Sequence, residues 1–137
     1  MSLYLDTSVL VTLFIEEAAT PIARAGVAGQ VVMVSNFAAA EFSAAISRRS
    51  RVGELSEAQV RQLFADFDLW TARGAHWIDA EPSDIAHATA LVRRLDLGLR
   101  APDALHLAIC QRAGQALFTF DLKMASAALT LGIKVHP

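Results

Sequence analysis

Four carboxylates stand in apolar or small-residue surroundings. They are Asp6 in Leu3-Tyr4-Leu5-Asp6-Thr7-Ser8, Glu41 in Phe37-Ala38-Ala39-Ala40-Glu41-Phe42, Asp103 in Arg100-Ala101-Pro102-Asp103-Ala104 and Asp121 in Leu117-Phe118-Thr119-Phe120-Asp121. An ionised carboxylate in such a setting is costly unless something pairs with it. No Lys or Arg adjoins Asp6 or Glu41, so the partner must come from the fold or from solution. If all four converge, several like-charge pairs arise, each repelling by roughly 4 kcal/mol at 4 Å and an effective dielectric near 20. A hard divalent cation, Mg²⁺ or Mn²⁺, removes that conflict, because oxygen ligands suit both ions. The chemistry that follows is phosphodiester hydrolysis, in which a cation acidifies water and neutralises the scissile phosphate.

The elements that position these acids are readable in the chain. Five short apolar segments, at 3–5, 31–35, 76–78, 116–120 and 133–136, predict strands. Stretches at 9–16, 21–28, 36–51, 57–72, 83–95, 102–112 and 122–131 predict helices. Strands alternating with helices imply right-handed crossovers and a mostly parallel sheet covered on both faces, an α/β fold in three layers. In such sheets ligands gather at the carboxyl ends of the strands. Asp6 and Asp121 directly follow predicted strands, and Glu41 and Asp103 lie in the opening turns of predicted helices. Caps are expected at Asn36, at Ser56 with Gln59, and at Ser83 beside Asp84. Pro102 suits the first helical position, and Gly132 can end the last helix.

Composition narrows the class. At 137 residues, with 54% hydrophobic and 19% charged residues, the chain is expected to be one globular domain spanning 1–137. A net charge of −2 removes any argument for strong non-specific attraction to nucleic acid, although Arg48, Arg49 and Arg51, and Arg93, Arg94 and Arg100, form local basic clusters. The lone Cys110 fits a reducing compartment and a core position. The apolar run from Val9 to Ile15 is bracketed by Asp6 and Glu16, so neither a signal peptide nor a membrane span is expected, and a cytoplasmic location is.

Plainer readings exist for most of these residues. Asp103 and Asp84 could be first-turn carboxylates favoured by the helix dipole. Asp6 and Asp121 could be turn residues at strand ends. Glu41 is the hardest to read in this way, because its helical neighbours Phe37, Ala38, Ala44 and Ala45 are small or apolar. His106 shares a helix face with Asp103 three residues earlier, and reads as a packing or supporting residue rather than a metal ligand. Arg100 is a candidate contact for RNA phosphate or a solvated loop charge. Trp70 and Trp77 are candidates for the core or a dimer face.

In this order, Leu3-Tyr4-Leu5-Asp6-Thr7-Ser8, Ala40-Glu41, Pro102-Asp103-Ala104-Leu105-His106-Leu107-Ala108 and Thr119-Phe120-Asp121 resemble the motifs of PIN-domain ribonucleases. The segment from Ala127 to Ile133 resembles the usual ending of that family. The short form is most similar to VapC-type toxins of bacterial toxin–antitoxin pairs. The resemblance implies a three-layer α/β/α fold with about five strands and Mg²⁺- or Mn²⁺-dependent endoribonuclease activity. It further implies Asp6, Glu41, Asp103 and Asp121 as the catalytic, metal-holding quartet, with Asp6 and Asp103 as main ligands. Thr7, Ser8 and Thr119 are then supporting residues that hold water or orient a carboxylate. A homodimer, an RNA substrate and a cognate antitoxin are the partners it implies. Two other readings compete. One is a catalytically silent module that keeps the fold for protein contacts. The other is a receiver-like phosphoacceptor domain using Asp79 and Lys123, which would need an adjacent acid pair where the chain has Asp6-Thr7.

Overall fold

The computed structural model describes residues 2–137. Its elements run β1 (Leu3–Leu5), α1 (Thr7–Phe14), α2 (Thr20–Val27), β2 (Val32–Ser35), α3 (Asn36–Arg51), α4 (Glu57–Gly74), β3 (Ala75–Ile78), α5 (Pro82–Arg93), α6 (Ala101–Ala113), β4 (Ala116–Phe118) and α7 (Leu122–Thr130). The strands form one parallel sheet in the order β3-β2-β1-β4. Leu5 pairs with Phe118 at the ends of β1 and β4, so Asp6 and the turn leading to Asp121 emerge side by side.

The sheet has four strands rather than about five. The segment 133–136 touches it only at a single bridge, Leu117 with Val135. Its would-be neighbour β4 ends at Phe118. Thr119 Oγ1 donates to Asp6, and the Phe120 N–H donates to Ser8 Oγ at 3.1 Å.

The strand period of two divides the core. Leu3, Leu5, Val32, Val34, Ala116 and Phe118 face one side, where they meet residues of α1, α2, α3 and α4. Tyr4, Met33 and Leu117 face the other, against α5, α6 and α7. Helix α6 is buried without interruption from Ala104 to Cys110, as befits a helix enclosed on all sides. Cys110 lies in this core as expected, and burial pushes its thiol up to about 12. On the opposite side Phe42 of α3 stacks on Phe67 of α4 at 4.2 Å and meets the edge of Phe14 of α1 at 5.6 Å. Trp70 joins this aromatic group, whereas Trp77 is half-exposed on the edge strand β3.

Several caps differ from expectation by a residue or two. Ser35, not Asn36, caps α3, its Oγ accepting the Ala38 N–H at 2.9 Å. Asn36 instead accepts the Ala80 N–H at 2.8 Å and ties down the turn after β3. Glu81, not Ser83, precedes α5, and Asp84 closes a capping box there. Pro102 sits second in α6 behind Ala101, where a missing N–H is equally harmless. The Ser56–Gln59 box is present as read, and Gly132, at φ +78°, follows the C-cap of α7.

Asp84 is also more than a first-turn charge. It is only 2% exposed, and Arg112 grips both of its oxygens at 2.8 Å while donating to the Asp79 carbonyl. That fork joins the start of α5 to the end of α6 and holds the Asp84 carboxyl below the usual carboxylate range. Among the described residues no helix is long and apolar enough to cross a membrane.

Candidate active site

Asp6 leaves β1 in extended conformation and caps α1. It is 2% exposed, and both oxygens are occupied. Oδ1 accepts Ser8 Oγ–H at 2.7 Å and the Val9 N–H at 3.2 Å, and Oδ2 accepts Thr119 Oγ1–H at 2.5 Å. Burial pushes this carboxyl upward against those three hydrogen bonds. Ser8 and Thr119 thus serve as supports. Ser8 also receives the Phe120 N–H, and Thr119 Oγ1 receives the Asp121 N–H at 2.9 Å. Asp121 in turn caps α7, accepting the Met124 N–H at 3.0 Å.

Glu41 reaches the same region from α3. Its Oε1 accepts Thr7 Oγ1–H at 2.6 Å and lies 2.5 Å from His106 Nε2. Burial opposes its ionisation, but the bonds from His106 and Thr7 together outweigh that and hold its carboxyl below the ordinary range. Asp103, in the first turn of α6, is pushed the other way. Burial is the main cause, followed by the negative charge of Asp121, with Glu41 adding to it and His106 opposing. The net shift is upward, so burial and the acidic neighbours outweigh His106 and the backbone hydrogen bond that favour the charged form.

All four sequence-derived acids therefore lie at the carboxyl edge of β1 and β4. Thr119 links Asp6 to Asp121, Thr7 links the start of α1 to Glu41, and Asp103 feels both Asp121 and Glu41. Among the described residues none of the four forms an ion pair with Lys or Arg. An all-oxygen set short of cationic partners has the donor chemistry that a hard divalent cation takes. The acids are not drawn into a closed cage, since no group of three or more His, Cys, Asp or Glu among the described residues stands ready to hold an ion.

Arg100 is exposed at the N-cap of α6, one turn before Asp103, and forms no side-chain hydrogen bond among the described residues. Tyr4 and Ser35 were not singled out by sequence, and both enter the site through His106. The available signal was a phenol between two leucines in a buried strand, where its hydroxyl must find a partner. The receiver-like reading fails on topology. Asp79 follows β3 and Lys123 follows β4, at opposite edges of the sheet, and Asp79 accepts the Trp77 indole N–H at 2.8 Å.

Carboxylates without basic partners, gathered where parallel strands end, define an acid-centred α/β fold. The chain belongs to the PIN-domain family, whose model matches residues 3–129. No curated protein sequence matches the chain. Among solved structures it is similar to VapC20 of Mycobacterium tuberculosis, described as a Sarcin-Ricin loop cleaving toxin. The TM-score is 0.75 at 21% identity, covering 99% of this chain and 100% of that one. It is similar also to FitAcB from Neisseria gonorrhoeae, with TM-score 0.72 and 17% identity over 98% and 96% of the two chains. VapBC2 from Rickettsia felis, bound to a DNA fragment from its promoter, gives 0.69 and 14% over 98% and 97%. At these identities the likeness speaks for the fold.

Proposed function

We propose that this protein, as a single domain over 1–137, is an endoribonuclease that hydrolyses RNA phosphodiester bonds with Mg²⁺ or Mn²⁺. The observation that carries the reading is the convergence of Asp6, Glu41, Asp103 and Asp121 at one sheet edge without a Lys or Arg partner, in a PIN-domain chain. Asp6 and Asp103 are the main ligands of the cation, with Glu41 and Asp121 completing its surroundings directly or through water. The bound ion would acidify the attacking water and offset charge on the phosphate. Thr7, Ser8 and Thr119 hold the carboxylates in orientation. Arg100 contacts the RNA backbone, steering a polyanion toward an otherwise acidic centre.

The biological setting we propose is a type II toxin–antitoxin pair in the cytoplasm, with the protein as a homodimeric toxin held in check by a cognate antitoxin. The similar structures support this, since they include a cleaving toxin and a toxin–antitoxin complex from Klebsiella pneumoniae.

Metal binding tests the site directly. Mn²⁺ at a hundred times its dissociation constant should stabilise the antitoxin-free protein by about 2.7 kcal/mol, read as a rise in Tm. Asp103→Asn should lose most of that rise. If no divalent cation moves the Tm of the folded wild type, the silent binding module becomes the better reading.

A further inference from the structure

Glu41 carries both of its protein hydrogen bonds on one oxygen. Thr7 Oγ1 and His106 Nε2 both address Oε1, and Oε2 has no hydrogen-bond partner among the described residues. His106 is itself enclosed, at 2% exposure, with its ring centroid 5.8 Å from that of Tyr4 and 5.0 Å from that of Phe37. Its Nδ1 lies 2.7 Å from the Tyr4 hydroxyl, which lies 2.9 Å from Ser35 Oγ.

Counting protons gives this buried chain a direction. Ser35 Oγ already accepts the Ala38 N–H, so its own proton remains to be donated. The Tyr4 oxygen is the acceptor within reach among the described residues. Tyr4 then gives its proton to Nδ1, which must be bare, and the ring proton sits on Nε2, facing Glu41. Run the other way, the chain leaves the Ser35 hydroxyl proton without an acceptor at a position with no exposure, which buried donors avoid.

We infer that Ser35 and Tyr4 fix His106 as its Nε2–H tautomer, so that His106 clamps Glu41 through Oε1 and leaves Oε2 free for the reaction. His106 and Tyr4 are thus positioning residues, acting through Glu41. Their catalytic consequence rests on the nuclease reading, whereas the tautomer does not.

Two measurements test this. Nitrogen-15 correlation spectra of the metal-free wild type, with the His106 signals assigned by their loss in His106→Gln, should show a protonated Nε2 and a bare Nδ1. The second compares His106→Gln with His106→Asn. The glutamine amide nitrogen reproduces Nε2, whereas the asparagine nitrogen reproduces Nδ1 and cannot reach Glu41. Calorimetric Mn²⁺ affinity should stay within about threefold of wild type for Gln and fall about 10–100-fold for Asn, the usual cost of losing an outer support. A packing role would affect both alike. An Nδ1–H tautomer, or equal affinities in the two variants, overturns the inference. If the wild type neither binds Mn²⁺ nor cuts RNA, the nuclease reading falls and the spectra alone decide the tautomer.

Discussion

Asp103→Asn is expected to cut RNA cleavage at least about a thousandfold while making the metal-free protein more stable. The first effect corresponds to about 4 kcal/mol of transition-state stabilisation, of the size lost when a charged or polar group at a reacting centre is removed. The second follows from the electrostatics of the site without metal. Asp103 is held above its ordinary range by burial, by Asp121 and by Glu41, so its charge costs folding free energy at neutral pH. Asparagine removes that cost, by under about 1 kcal/mol because the partly exposed site is screened. The sign with pH is fixed. A carboxyl with a raised folded pKa binds its proton more tightly in the folded state. Its penalty is fully present above that raised value, shrinks as pH falls through it and is gone below the ordinary value of 3.8. In EDTA the Tm gap between variant and wild type should therefore be widest near pH 7 and close on acidification toward pH 4. A variant less stable than wild type at pH 7 would mean that Asp103 is a structural cap.

Phe42→Ala should cost about 4 kcal/mol of stability, the range for deleting a buried aromatic ring. The ring has no exposure, lies nearly parallel to Phe67 and contacts Phe14 at its edge, so its loss opens a cavity where α1, α3 and α4 meet. Stacked and edge-on aromatic pairs add to the area term. Because Phe42 is the residue after Glu41, this cluster also anchors the helix that presents Glu41 to the site. Urea unfolding at an unchanged m-value measures the effect. A loss below about 1.5 kcal/mol would show that α3 is held by something other than this cluster.

The site's acids were legible because each violates a local rule: a carboxylate in an apolar or small-residue stretch needs a reason. The sheet was legible from apolar segments at regular intervals, and its parallel sense from the helices between them. What escaped was decided by long-range pairing. Whether 133–136 forms a strand depends on how far it pairs with β4, and it meets β4 only at the Leu117–Val135 bridge. The Arg112 fork on Asp84 spans 28 residues, and the Tyr4–His106 bond spans 102, so neither has a local spacing to read. Ser35 and Asn36 are both good capping residues, and which one caps is settled by the Ala80 N–H that claims the other.

RNA cleavage by antitoxin-free protein, with Mn²⁺ or Mg²⁺, then with EDTA, then with the ion restored in excess, tests the central claim most directly. The account predicts cutting with either ion, its loss in chelator and its return on restoration. Cutting that persists in EDTA, or no cutting under either ion by protein shown to be folded, would contradict it.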